Sequence, residues 1–213
     1  MRTIIKGPEP DSLTQHRCAN HASYENLAEE AKRVLREALV EDQRGLCCYC
    51  MSRIWPQRDK MKIAHWHAQA RYPDEQLDFV NLLGACRGGQ GQPRSRQHCD
   101  TRQADQHISR NPANPMHRVE DAIGYAPDGS IISDDPAFDR ELNGALNLNL
   151  AFLKANRKAA LDGFLQSLPR KGALGRGVLE RWLRDWNGES HSAELEPFCQ
   201  VVVYWLRRRL ARA

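Results

Sequence analysis

The cysteines carry the first chemistry. Cys47 and Cys50 are separated by two residues in Gly45-Leu46-Cys47-Cys48-Tyr49-Cys50-Met51-Ser52-Arg53-Ile54, the spacing at which two thiolates of one tight turn reach the same ion. Cys86 and Cys99, with twelve residues between them, complete a tetrahedral four-sulfur zinc site provided that the loop 87–98 brings its ends together. A redox dithiol is the alternative for the first pair. Cys48 is a spare that should point away from its neighbour's metal, and Cys18 has no assignment. Inside this clamp lie Lys62-Ile63-Ala64-His65-Trp66-His67, then Asp78-Phe79-Val80-Asn81-Leu82-Leu83, then His98-Cys99-Asp100. An imidazole titrates near working pH, so a strand-borne His65 is a candidate general base.

Composition sets the background. The chain has 213 residues, 41% hydrophobic and 27% charged, the profile of a globular rather than a disordered protein. No apolar run approaches the roughly 18–20 residues that span a bilayer, and the N-terminus lacks an apolar secretory core. A cytoplasmic location without membrane contact is therefore expected, where thiols stay reduced and seven cysteines do not make a disulfide framework. The net charge of +4 is mild, but basic residues concentrate. From Cys86 to Arg118 there are six arginines against two aspartates, and the tail from Val201 carries Arg207, Arg208, Arg209 and Arg212 with no acid. Such excesses suit a polyanion, although solvated faces give the same pattern.

The elements that must position these residues fall into three segments: 1–45, 46–118 and 119–213. In the first, Pro8 and Pro10 argue against early regular structure, and Ser23 caps a helix to about Gln43 with Leu27, Ala31, Val34, Leu35, Ala38 and Leu39 as its packing stripe. Gly45 supplies the stop. From Leu46 to Met116 apolar periodicity fades while Cys, His, Gly, Arg and Pro accumulate, so a metal is needed to hold the segment together. Ala122–Ser133 reads as a hairpin with Pro127-Asp128-Gly129-Ser130 as its turn. The rest reads as helical: Phe138–Asn156 and Arg157–Leu168 as one helix or two, a stop at Pro169 and the glycines 172, 175 and 177, then Val178–Trp186 and Glu194–Leu210. Cys199 belongs to the apolar face of the last helix as a small hydrophobe. Trp182, Trp186 and Trp205 are expected in packing rather than in an interface. The fold class is α+β, with a small zinc-braced core between mostly helical terminal parts.

In order, His65, Asn81, Cys86, Cys99 and Asp100 resemble the HNH endonucleases, whose ββα-metal fold is often braced by two cysteine pairs and whose wording runs acid–His, then Asn-Leu-x-x-x-Cys-x-x-Cys-His. The match covers about residues 43–105, and the longer Cys86–Cys99 loop accounts for the difference in spacing. Further motifs narrow it: Met1-Arg2, Ile5-Lys6-Gly7 and Glu9-Pro10, Cys-x-Tyr-Cys, Ile-x-His-Trp, Gly-Gly-x-Gly-Gln-Pro, His-Cys-Asp, Asn111-Pro112-x-Asn114-Pro115, Leu148-Asn149 and Asn156-Arg157. These look like the PtuB-like HNH endonucleases of retron and Septu anti-phage systems. The resemblance implies metal-dependent phosphodiester cleavage in partnership with a PtuA-like ATPase, acting on DNA or RNA, with a retron reverse transcriptase and its msDNA as further partners.

On that resemblance His65 is the base, and Asn81 ties the first strand to the helix. Asp100 takes the slot of a metal-binding His and is a hard ligand for a catalytic Mg²⁺ or Mn²⁺. His98 and His67 are secondary ligand candidates, and Arg87, Arg94, Arg96 and Arg102 are candidates to hold the substrate backbone. One departure matters. The residue before the base is normally an acid or His that ligates the cation, and here it is Ala64. The chain is then an engineered inactive variant, a naturally crippled one, or one in which His67 replaces the lost ligand; strand alternation opposes the last, since 65 and 67 share a face and 64 does not. Gln103, where the pattern often has Lys, is a smaller departure. Two rival readings stand beside the nuclease: a zinc-ribbon-like module that binds nucleic acid or a partner without cutting, and a scaffold whose C-terminal helices recruit a partner.

Overall fold

The computed structural model describes residues 1–169, 175–190 and 193–212. Over these the chain is mixed α+β, its regular structure chiefly helical, with two small antiparallel sheets. No helix among the described residues is long and apolar enough to cross a membrane.

The first helix, α1 (Asp11–Arg17), lies where the early prolines argued against one. Pro10 stands just ahead of it, and its carbonyl accepts from Leu13 and Thr14. A cap contributes only its C=O, so the missing N–H of proline costs nothing there. The next helix, α2 (Glu29–Asp42), begins later than Ser23. Ser23 and Asn26 bond to each other, Ser23 N to Asn26 Oδ1 at 2.8 Å and Asn26 N to Ser23 Oγ at 3.3 Å, and close a turn instead of opening the helix. The predicted stripe holds: Ala31, Leu35 and Leu39 are buried against Leu13, Leu27, Phe79 and Leu82. Each fully buried leucine contributes about 1.5–3 kcal/mol.

Strands β1 (Met61–His65) and β2 (Leu82–Cys86) pair antiparallel, with Lys62 opposite Ala85, Ala64 opposite Leu83 and His65 opposite Leu82. Because side chains alternate, β2 divides its faces. Leu82 packs towards α2, while Leu83 and Ala85 join the core around the cysteines. The buried Gln43 fastens α2 to the strand: its amide donates to Gly84 O at 2.7 Å and accepts from Gly84 N at 2.6 Å. The short helix α3 (Cys99–Gln103) completes a β-β-α order.

The hairpin forms as β3 (Gly124–Tyr125) and β4 (Ile131–Ile132). The helix expected over 138–156 is broken. Asp135 caps α4 (Pro136–Arg140), a π-turn spans Glu141–Ala145, and α5 (Ala151–Gln166) starts anew. The break has a purpose in hydrogen bonding. It frees Leu146 O to accept from Cys99 N at 2.9 Å, and lets Asn149 bracket Ile131 through Ile131 N to Oδ1 at 2.8 Å and Nδ2 to Ile131 O at 2.9 Å. Buried Arg157 joins both parts, donating to Gly129 O and Leu148 O at 2.6 and 2.7 Å.

α6 (Arg176–Asn187) and α7 (Cys199–Leu210) close the chain; the predicted stop at Gly172 lies outside the described residues. α7 starts at 199 rather than 194 because the preceding stretch is pinned elsewhere, with Leu195 N on Arg44 O and Phe198 N on Met51 O, both at 3.0 Å. Trp182, Trp186 and Trp205 all meet the Phe164 ring edge to face, with centroids 5.5 to 5.8 Å away, so they are packing residues as expected. Met1 and Ile4, the Cys47–Cys50 turn, and Phe138, Leu142 and Leu153 share one apolar cluster. The three segments therefore pack on a common core.

Candidate functional site

The sulfur atoms of Cys47, Cys50, Cys86 and Cys99 all lie within 4.8 Å of one another. Cys47 and Cys99 are 3.9 Å apart and Cys50 and Cys86 3.7 Å. A tetrahedron with Zn–S bonds of about 2.3 Å has edges of about 3.8 Å, so the set fits a structural zinc. Cys18, Cys48 and Cys199 are outside it.

The loop 87–98 does bring its ends together, through His98 N on Gly88 O at 3.0 Å. Gly88 has φ +55°, and a Cβ there would stand 2.2 Å from His98 O, so only glycine permits this closure. Burial opposes ionisation at Cys47, but bonds from the surrounding thiols outweigh it and hold its pKa well below the ordinary value. Burial, then the bonds to Cys47 and Cys50, push Cys99 well above. A cation at their centre favours the thiolate form of all four.

His65 sits at the end of β1, 8% exposed, with the Tyr24 ring edge-on at a centroid distance of 4.6 Å. Its Nε2 lies 3.0 Å from Gln76 O. A carbonyl only accepts, so Nε2 carries the proton and Nδ1 keeps its lone pair. That lone pair faces the Gln69 amide at 2.9 Å. Burial lowers the His65 pKa from its ordinary 6.5, with the Gln76 carbonyl and the Asp100 charge opposing. The ring is thus neutral at working pH, the state a base requires.

The unfolded ring takes up a proton before the folded one, so His65 contributes fully above pH 6.5 and progressively less as pH falls below it. The urea midpoint is expected to drop between about pH 7.5 and pH 5. The drop should be smaller in His65→Gln, and equal slopes in the two proteins would count against the burial of a neutral ring.

Asn81 closes the intervening loop. Its Oδ1 accepts from His67 N at 2.7 Å and its Nδ2 donates to His67 O and Glu75 O at 3.2 and 3.0 Å. It thereby fixes the strand end that carries His65, while Gln103 Nε2 donates to Trp66 O at 3.1 Å and ties α3 to the same place.

Two expected cation ligands lie elsewhere. His98 points Nδ1 at the sulfurs, 3.1 Å from Cys99 and 3.9 Å from Cys86, because its neighbour in sequence is a metal-site cysteine and loop closure turns the ring inward. His67 is stacked between Trp66 and Tyr72 at 3.8 and 4.1 Å, with Nδ1 on Glu75 at 2.7 Å. It therefore does not fill the place left by Ala64, which is itself fully buried. Asp100 is in direct contact with the Lys62 ammonium, which also donates to Thr101 Oγ1 at 3.3 Å.

Helix α3 ends on Ala104 at φ 48°, ψ −122°, a conformation open to glycine and strained for alanine. Ala104→Gly is expected to raise stability by about 1 kcal/mol, read as a higher urea midpoint at unchanged zinc content. A lower midpoint would show that the backbone is not strained there.

Beside the Tyr24–His65 contact opens a cleft of about 420 Å³ whose lining includes Tyr24, Lys32, Arg36, Arg58, Lys62 and Arg87. Its one acid, Glu29, is bonded to Arg36 at 2.6 Å. Of the four arginines proposed for substrate, only Arg87 lines this cleft. Arg94 and Arg96 are exposed on the 87–98 loop, and Arg102 braces that loop through Gly144 O and Arg94 O at 3.2 and 2.9 Å. The residues missed in sequence are Tyr24, Gln69, Gln76 and the cations 32, 36, 58 and 62. Only Lys62 had a local signal, lying two positions before Ala64 on the same strand face. A larger groove of about 500 Å³, lined by Tyr204, Trp205 and Arg208 among others, holds no histidine or cysteine. The cleft lining likewise has no histidine or cysteine; it reaches His65 through Tyr24 and Asp100 through Lys62. Neither a scan of protein-family models nor a search of curated proteins finds a match for this chain.

Proposed function

We propose that this chain is an HNH-type protein acting on the phosphodiester backbone of nucleic acid, with endonucleolytic cleavage as the activity its site is arranged for and weak turnover in the present chain. The observation that supports this best is the placement of His65. A β-β-α unit on a four-sulfur brace carries it at a strand end, in the tautomer that leaves Nδ1 basic, beside a cationic cleft. In cleavage the Gln69 amide would yield Nδ1 to a water, and Nδ1 takes that water's proton as its oxygen bonds to phosphorus and the P–O ester bond breaks, the leaving oxygen taking its proton from solvent; Gln76 O and Asn81 hold the ring and its strand in position. Lysine and arginine side chains of the cleft offset the phosphate charge.

The catalytic Mg²⁺ or Mn²⁺ implied by the family resemblance does not fit the residues present. Ala64 has no donor atom, His98 belongs to the sulfur site, and Asp100 is already paired with Lys62. A PtuA-like ATPase, and a retron reverse transcriptase with its msDNA, are part of the same proposal as partners. Ala64 also favours a second reading, a zinc-braced module that binds nucleic acid without cutting. Assaying nucleic-acid cleavage by Ala64→Glu, with Ala64→Glu/His65→Ala as control, separates the two. A histidine-dependent gain supports the nuclease, and no gain in a folded Ala64→Glu protein supports the binding module.

A further inference from the structure

We infer that in this chain the Lys62 ammonium stands in the place of the divalent cation, so that the cleft grips a phosphodiester backbone without metal. The inference rests on the proposed HNH-type reading and concerns the same site. Lys62 and Ala64 pair with Ala85 and Leu83, two positions apart on β1, and so share one face. That face meets α3, because the Lys62 ammonium contacts Asp100 and Thr101 in its first turn.

A divalent ion needs several oxygen or nitrogen donors converging on one point. Among the described residues, the only group of three or more such side chains or thiols gathered closely enough is the four-cysteine set. At Asp100 one carboxylate remains, and it already has its counter-charge. The ammonium is a compact point charge with three N–H donors. Asp100 and Thr101 Oγ1 take two of them. One N–H is left over, and Lys62 lines the cleft, with the lysine side chain 31% exposed and the aspartate 17%. A phosphate oxygen is the ligand that matches this donor, and Arg58 and Arg87 of the same lining can take neighbouring phosphates along the strand. Asp100 then acts as the positioning residue that fixes the lysine, rather than as a ligand.

The experiment uses the full zinc-loaded chain in chelator-free buffer stripped of other divalent ions. A fluorescent single-stranded DNA oligonucleotide is titrated by anisotropy with and without Mg²⁺, and Mn²⁺ binding is read separately from the free-ion electron spin resonance signal. The expected result is oligonucleotide binding that needs no Mg²⁺, weakened about tenfold in Lys62→Met at unchanged zinc content. No Mn²⁺ should be retained by the wild-type protein, whereas Ala64→Glu, whose two carboxylates can compete with the ammonium, retains one equivalent. Asp100→Asn should weaken binding less than Lys62→Met, since it loosens the lysine without removing its charge. Three outcomes overturn the inference: a wild-type Mn²⁺ site lost in Asp100→Asn, oligonucleotide binding that requires Mg²⁺, or unaltered affinity in Lys62→Met. The Mn²⁺ arm contains no nucleic acid, and the nuclease reading is decided by cleavage in Ala64→Glu, so the two failures are told apart.

Discussion

Cys99→Ser is expected to abolish metal retention and unfold the region from Leu46 to Asp105. Cys99 is fully buried, its sulfur 3.9 Å from that of Cys47, at the start of the helix that also carries Asp100. Structural zinc sites contribute apparent binding free energies of about 10–16 kcal/mol, as large as the about 5–15 kcal/mol net stability of an ordinary domain. The strands pack on the apolar clusters, but the end of the segment has little else to hold it, because the loop 87–98 is mostly exposed and α3 is barely longer than one turn. Loss of one thiolate also leaves the other three crowded without a cation. The measurements are zinc per chain by elemental analysis and near-ultraviolet circular dichroism. Wild type should hold one equivalent, and Cys47, Cys50 and Cys86 variants should fail like Cys99→Ser. Cys18→Ser and Cys199→Ser, whose sulfurs lie outside the cluster, should keep it. A folded, zinc-loaded Cys99→Ser protein would refute the four-sulfur centre, and dependence on Cys47 and Cys50 alone would return the first pair to redox chemistry.

Ala64→Glu is expected to raise metal-dependent cleavage at least about a hundredfold, since a bound cation offsets several kcal/mol of transition-state charge and each 1.36 kcal/mol is tenfold in rate. The substituted side chain lies on the β1 face that meets α3, where its carboxylate and that of Asp100 can share a cation between them. Ala64 has no exposed surface, so the larger side chain must displace neighbours towards the cleft and carries a folding cost of about 1–3 kcal/mol. The variant must therefore be shown folded by its zinc content before its rate is compared. The gain should vanish when His65→Ala is added, because the proposed reaction uses the neutral ring as its base. A folded Ala64→Glu protein with wild-type activity would remove position 64 from the site.

Much of the site was legible because its signals are local. Two thiols spaced by two residues converge in any tight turn, and the α2 stripe and the 124–132 hairpin depend on periodicity and turn chemistry close in the chain. What was not legible depends on partners far away in sequence. Tyr24 reaches His65 only because α2 lies over the sheet, and the cationic cleft draws on residues 32, 36, 58, 62 and 87 from separate elements. The break at 141–150 could not be read from helical periodicity, since hydrogen bonds to Cys99 and Ile131 override local preference there. His98 shows the same limit in reverse. It was a secondary candidate for the cation, while loop closure turned the imidazole to the thiols.

The bond from Cys99 N to Leu146 O joins the sulfur centre to the helical last third of the chain. Chelation and helix docking are thereby two entries into one equilibrium. Ion uptake at the thiols would favour the docked 141–146 turn, and a docked turn would in return slow escape of the ion. Occupancy of the knuckle would then be felt at α5 and the hairpin it supports, well away from any thiol.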